Sequence, residues 1–173
     1  MKDLNIVFAG FGGQGVLFAG KVAAYAGMID NKEISWLPSY GPEMRGGTAN
    51  CSVCISERAI GAPIVTNPNV FVAMNLPSLN KFIDDVEKDG IVIIDSGLID
   101  KKVERDDIKV HYIPASTLAE ENSLKGLANI ILAGKMFKEI GVFSNEVVDQ
   151  AIQKCVPARK AEMLDLNRKA IEI

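Results

Sequence analysis

Within ten residues, Ser39-Tyr40-Gly41-Pro42-Glu43-Met44-Arg45-Gly46-Gly47-Thr48, the chain sets an aromatic ring, a carboxylate, a guanidinium and three glycines between two apolar runs. A reversal of the chain needs only one glycine or proline. Glycines also let backbone approach another surface closely, and arginine offers a planar fork to a carboxylate or phosphate. The segment therefore reads as a contact loop. An earlier glycine loop, Gly10-Phe11-Gly12-Gly13-Gln14-Gly15, places Gly10, Gly12 and Gly15 in a G-x-G-x-x-G spacing. Between a strand and a helix, that spacing exposes backbone N–H groups at a helix start, where partial positive charge favours phosphate. Gln14 adds a side-chain amide at the tip that can donate or accept.

Two phosphate chemistries fail on neighbouring residues. A nicotinamide site needs an Asp or Glu at the end of the second strand to hold ribose, and that strand ends Ser35-Trp36-Leu37-Pro38, with Asp30 and Glu33 before or at its beginning instead. A P-loop needs Lys-Ser/Thr after its last glycine, whereas Gly15 precedes Val16-Leu17. Both loops also have a structural reading. Glycines let a strand and a helix pack closely, and Glu43 and Arg45 as an exposed ion pair would be worth little. What favours function is position. In an open α/β sheet, ligand crevices lie beyond the carboxyl ends of the strands, and both loops follow strands that are expected to end as neighbours there.

The elements that carry these loops alternate strand and helix. Leu4–Ala9 is a short buried-type strand and Val16–Met28 an Ala-rich helix. Glu33–Leu37 and Thr48–Ile55 are the next strands, and Thr48 to Ile60 is expected to form a hairpin. The run Val70-Phe71-Val72-Ala73-Met74 is continuously apolar, as parallel strands are. Pro77 suits a first helical turn, with helix expected over Leu79–Val86. Gly90–Asp95 and Lys109–Ile113 complete the strands. Helices are expected over Gly126–Glu139, from the Ser144 cap to Cys155, and over Ala158–Ile171. The fold class is α/β: a mostly parallel sheet flanked by helices, with a β-hairpin element and a helical C-terminal segment, in a single domain over residues 1–173.

Composition narrows the class. The 173 residues are 48% hydrophobic and 24% charged, as in an ordinary globule. A net charge of −3 gives no basic footprint for nucleic acid. The first apolar stretch is too short for a signal or a membrane span, so the expectation is a cytoplasmic protein without membrane contact. Cys51 and Cys54 form C-x-x-C, but residues three apart on a strand point to opposite faces. They read as two apolar cysteines of a reduced compartment. The single His, His111, lies far along the chain, and no metal site is expected.

Taken together, Gly10-Phe11-Gly12-Gly13-Gln14-Gly15-Val16 and Tyr40-Gly41-Pro42-Glu43-Met44-Arg45-Gly46-Gly47 resemble the gamma subunit of 2-oxoacid:ferredoxin oxidoreductases, the pyruvate, 2-oxoglutarate and 2-oxoisovalerate enzymes. Ile60-Gly61-Ala62-Pro63, Val72-Ala73-Met74-Asn75, the helix with Gly126, Asn129 and Gly134, and Asn167 extend the resemblance over essentially the whole chain.

The resemblance implies a non-catalytic subunit of an oxidoreductase. Enzymes of this family decarboxylate a 2-oxoacid on thiamine diphosphate, pass electrons through [4Fe–4S] clusters to ferredoxin, and transfer the acyl group to coenzyme A. This chain has no four-cysteine run for a cluster and no evident site for Mg²⁺-bound diphosphate. Thiamine diphosphate, Mg²⁺ and clusters would belong to partner alpha, beta and, where present, delta subunits. By the same resemblance, Gly12, Gly13, Gln14, Gly15 and Arg45 would bind coenzyme A at the interface. Tyr40, Pro42, Glu43, Met44, Gly46 and Gly47 would meet the partner. An uncovered docking face would let the isolated chain self-associate. Two alternatives stay open: the corresponding subunit of an indolepyruvate oxidoreductase, and a free-standing nucleotide-binding or interaction module of the same fold.

Overall fold

The computed structural model describes residues 2–39 and 48–173. The expectations placed on Tyr40, Pro42, Glu43, Met44, Arg45, Gly46 and Gly47 therefore lie outside the described residues.

Strand β1 (Leu4–Phe11) leads through the glycine loop into helix α1 (Val16–Ile29). Next come β2 (Glu33–Ser39), β3 (Thr48–Ser56) and β4 (Val70–Ala73). Helix α2 (Leu76–Phe82) runs into a 3-10 turn at Ile83–Asp85 and precedes β5 (Ile91–Asp95) and β6 (Lys109–Ile113). Helices α3 (Ala115–Glu121), α4 (Ala128–Ile140) and α5 (Asn145–Cys155) follow. A 3-10 turn at Ala158–Lys160 opens α6 (Ala161–Glu172).

Local chemistry sets several of these boundaries. Ser144 caps α5 by accepting from the Val147 N–H at 3.3 Å. Asn75 caps α2 by accepting from the Ser78 N–H at 2.8 Å, with Pro77 in the first turn. This cap starts α2 three residues earlier than Leu79. The helix α3 was not expected from sequence. Buried Asp95 at the end of β5 fixes its first turn, accepting from the N–H groups of Gly97 (3.1 Å) and Ser116 (3.2 Å) and from the Ser116 hydroxyl.

The sheet order is β2-β3-β1-β4-β5-β6. β1, β4, β5 and β6 are parallel neighbours, and β3 runs antiparallel to both β1 and β2. β2 therefore points the same way as β1, and β3 alone is reversed. The hairpin is formed by β2 and β3, not within Thr48–Ile60, where the chain does not return as a strand after Ser56. The arrangement also separates this fold from a dinucleotide-binding sheet, in which β2 would lie beside β1.

One sheet face, with Ile6, Phe8, Val53, Ile55 and Val72, packs against α1, α4 and α5. The other, with Val7, Phe71, Ile94 and the partly buried Tyr112, is covered by Leu79 and the partly buried Phe82 of α2 and by Ile99. Continuous burial of β4, all four residues buried, follows from this double cover.

Candidate functional site

Register brings the two loop regions to one edge. Phe11, the last residue of β1, pairs with Thr48, the first of β3, and Ser39, the last of β2, pairs with Asn50. The glycine loop and both described flanks of the contact loop thus stand at the carboxyl end of β1, where the next parallel neighbour is β4. From β1 the chain crosses to β2 on one side, and β4, β5 and β6 build the other. The loop consequently occupies the topological switch point, the usual ligand crevice of open α/β sheets.

Side chains from three elements shape the loop. The Gln14 Oε1 accepts from the Phe11 N–H at 2.6 Å, and Gln14 Nε2 donates to the Met74 carbonyl at 3.0 Å. The Gln14 N–H closes a turn on the Phe11 carbonyl at 3.2 Å. Gly15 has φ 76° and ψ 22°, the left-handed region that disfavours a side chain, and stands at the N-cap of α1. Among the described residues no side chain caps that helix, and its first turn carries no acid, so its partial positive charge favours an anion there. Asn129 of α4 donates through Nδ2 to the Gly15 carbonyl at 3.0 Å. At Gly13, with φ 92°, an added Cβ would meet nothing within 4 Å among the described residues. Gly12 and Gly13 are exposed.

The expected site residues Gly12, Gly13, Gln14 and Gly15 are thus together, though the Gln14 amide is largely engaged within the chain. Asn129 is a contributor that spacing could not find, because it comes from 114 residues away; its place in the family resemblance was the available signal. Around the loop, three large apolar side chains among the described residues stay exposed at the carboxyl ends of adjacent strands: Phe11 (39%), Leu76 (41%) and Leu98 (54%). A groove of about 690 Å³ between α4, α5 and α6, lined by Phe137, Phe143 and Arg168, touches none of the expected residues.

The cysteines do not fit an iron–sulfur cluster. Cys51 lies under α1, its thiol 3.7 Å from the Val16 carbonyl, and burial pushes its pKa up to about 12. Cys54 faces the opposite side of β3, toward the Ala62 carbonyl, as the strand periodicity predicts. Cys155 sits in α5, where burial raises its pKa to about 11. Among the described residues no group of three or more His, Cys, Asp or Glu is placed to hold a metal. No described helix is long and apolar enough to cross a membrane.

An open α/β sheet with a glycine loop at its switch point defines the class. Within it, residues 5–173 match the pyruvate ferredoxin/flavodoxin oxidoreductase family, and the chain belongs to that family. The chain is 36% identical over 173 residues to the ketoisovalerate oxidoreductase subunit VorA of Methanothermobacter marburgensis, covering 99% of this chain and 36% of that one. It therefore spans about a third of the length of that relative. Among solved structures, the gamma subunit of a keto/oxoacid ferredoxin oxidoreductase from Geobacter sulfurreducens is similar, with TM-score 0.82 and 30% identity over 98% of this chain and 94% of that one. A 2-oxoglutarate:ferredoxin oxidoreductase from Magnetococcus marinus, solved with 2-oxoglutarate, coenzyme A and succinyl-CoA bound, gives TM-score 0.87. There the identity is 24%, over 99% of this chain and 30% of that one, so the likeness is one of fold.

Proposed function

We propose that this chain is the gamma subunit of a multisubunit 2-oxoacid:ferredoxin oxidoreductase, oxidatively decarboxylating a 2-oxoacid to acyl-CoA with electrons passed to ferredoxin. Its part is to dock on the thiamine-diphosphate subunits and to complete the coenzyme A site. The observation that carries this reading is the family match along residues 5–173, with the glycine loop at the switch point of the sheet.

Residue chemistry supports the division of labour. The exposed Gly12–Gly13 backbone and the uncapped start of α1 offer N–H groups and partial positive charge to a phosphate of coenzyme A. Three dispersed cysteines cannot supply the four thiolates of a [4Fe–4S] cluster, so clusters, like thiamine diphosphate and Mg²⁺, fall to the alpha, beta or delta partners. Phe11, Leu76 and Leu98, exposed beside the loop, suit an interface core. Arg45 is assigned to phosphate or a partner carboxylate, and Tyr40, Pro42, Glu43, Met44, Gly46 and Gly47 to the interface. The complex is placed in the cytoplasm.

Anaerobic affinity capture of the tagged chain tests this. The expected result is co-purification of thiamine-binding and iron–sulfur chains, with coenzyme-A-dependent 2-oxoacid oxidation. Recovery of the chain alone, stabilised against heat by NAD or ATP and not by coenzyme A, would instead establish a free-standing nucleotide-binding module.

A further inference from the structure

We propose that Gln14 and Asn129 are positioning residues that clamp the two ends of the glycine loop, so that the Gly12–Gly13 backbone alone is presented to the ligand. The inference rests on the reading that this loop faces coenzyme A, and it moves Gln14 from ligand contact to scaffold.

The first clamp ties two strands. Gln14 Oε1 accepts from Phe11 N–H at the end of β1, and Nε2 donates to the carbonyl of Met74, which follows β4. The Met74 N–H in turn donates to the Ala9 carbonyl at 2.9 Å. One amide thus spans the switch point, spending its acceptor and one donor inside the chain. Gly10 leaves it room: a Cβ there would stand 2.6 Å from Gln14 Oε1 and 2.9 Å from Met74 Cβ.

The second clamp comes from across the helical layer. Asn129 is 3% exposed and donates to the Gly15 carbonyl, which also accepts the first helical bond of α1 from Ala19 N–H at 3.0 Å. The amide orientation is fixed by chemistry, since the reverse would set two oxygens face to face. Asn129 Oδ1 is buried with no hydrogen-bond partner among the described residues. A leucine would fill this volume without stranding an acceptor, so the donated N–H is what calls for asparagine. With both ends held, a Cβ on Gly13 would meet nothing within 4 Å among the described residues.

The test uses Gln14→Leu, Gln14→Glu, Asn129→Leu and Asn129→Asp, read by amide exchange in the isolated chain and by steady-state kinetics of the captured complex. Gln14→Leu and Asn129→Leu should speed exchange at Phe11 and Ala19 respectively. Each should raise KM for coenzyme A about tenfold while kcat at saturating coenzyme A changes less than about twofold. Gln14→Glu keeps an acceptor for Phe11 and should keep that amide protected. Asn129→Asp keeps the shape, removes the donor and should behave as Asn129→Leu does; if it fails to fold, the leucine variant carries the test. A raised KM in Gln14→Leu with Phe11 still protected would overturn the proposal, because Gln14 would then be touching the ligand. Unchanged exchange and KM in both leucine variants would overturn it as well. A wild-type complex with no dependence on coenzyme A would sink the functional reading instead, and the exchange measurement would still judge the clamps.

Discussion

In the body of α1, a methyl group added at Gly20 would run into Cys51 Sγ, and one at Gly27 would stand 2.8 Å from Ile55 and 2.9 Å from Ile34. At Gly13, just before the same helix, it would touch none of the described residues. The two regions use the same residue for opposite ends. Along the helix, missing side chains at Gly20 and Gly27 let α1 sink onto the β2–β3 hairpin, and the alanines Ala19, Ala23 and Ala26 of the same helix are fully buried. In the loop, the missing side chain leaves a surface bare. Glycine content near a helix start therefore does not identify a ligand site; the space around each glycine does.

The largest effect is expected where packing is tightest. Gly20→Ala should destabilise the chain by about 2 kcal/mol in urea unfolding, because overpacking costs about 1–3 kcal/mol and outweighs the gain in helix propensity of about 1 kcal/mol. Adding Cys51→Ala should recover much of that loss. Equal stability of Gly20→Ala and wild type would break the comparison. Next, Gly15→Ala combines a left-handed backbone with a Cβ driven into the Asn129 amide, whereas Gly13→Ala carries only the backbone strain, about 1–2 kcal/mol. Thermal melts should rank Gly15→Ala as the less stable, and KM for coenzyme A should still rise in Gly13→Ala.

The Cys51 thiol gives a pH test of the helix side. Burial raises its pKa from 9.0 to about 12. Below pH 9 the thiol is protonated in folded and unfolded chains alike, and its contribution is fully present. Between 9 and 12 only the unfolded chain ionises, so stability falls as pH rises. Denaturant midpoints should decline over that window, and Cys51→Ala should flatten the decline. The smallest effect belongs to the far end of the helical layer. Arg168 pairs with Asp149 through Nε and Nη2 at 2.5 and 2.9 Å, holding the Asp149 carboxyl below its ordinary value. Both side chains are over a third exposed, so Arg168→Ala should cost no more than about 1 kcal/mol at neutral pH. The Asp149 contribution is present above the ordinary value of 3.8 and lost as pH falls through the lowered one.

Much of this architecture is legible from the chain itself. The β-branched run at Ile91–Ile94, the alanines of α1 and the Ser144 cap each carry their structure locally. The order of strands does not follow from such signals. Nothing in Thr48–Ser56 states that it lies antiparallel between β1 and β2, since alternation along a strand defines faces and not neighbours. The clamps were hidden for the same reason. Gln14 at a loop tip looks available until Met74, sixty residues on, is seen to accept its N–H. Helix α3 escaped because Asp95, a strand residue, fixes its first turn.

The reversed strand has a kinetic consequence. β2 leaves α1 with no sheet neighbour of its own, because the place beside β1 is held for β3, which is made later. The β2–β3 pairing is local, while β3 joins β1 over longer separations, from 37 residues at Phe11↔Thr48 to 51 at Leu4↔Ile55. Loop-closure entropy then favours the hairpin forming first and docking on β1 as a unit. In native-state exchange β2 and β3 should open together, and the edge that carries the glycine loop is completed only when that unit arrives.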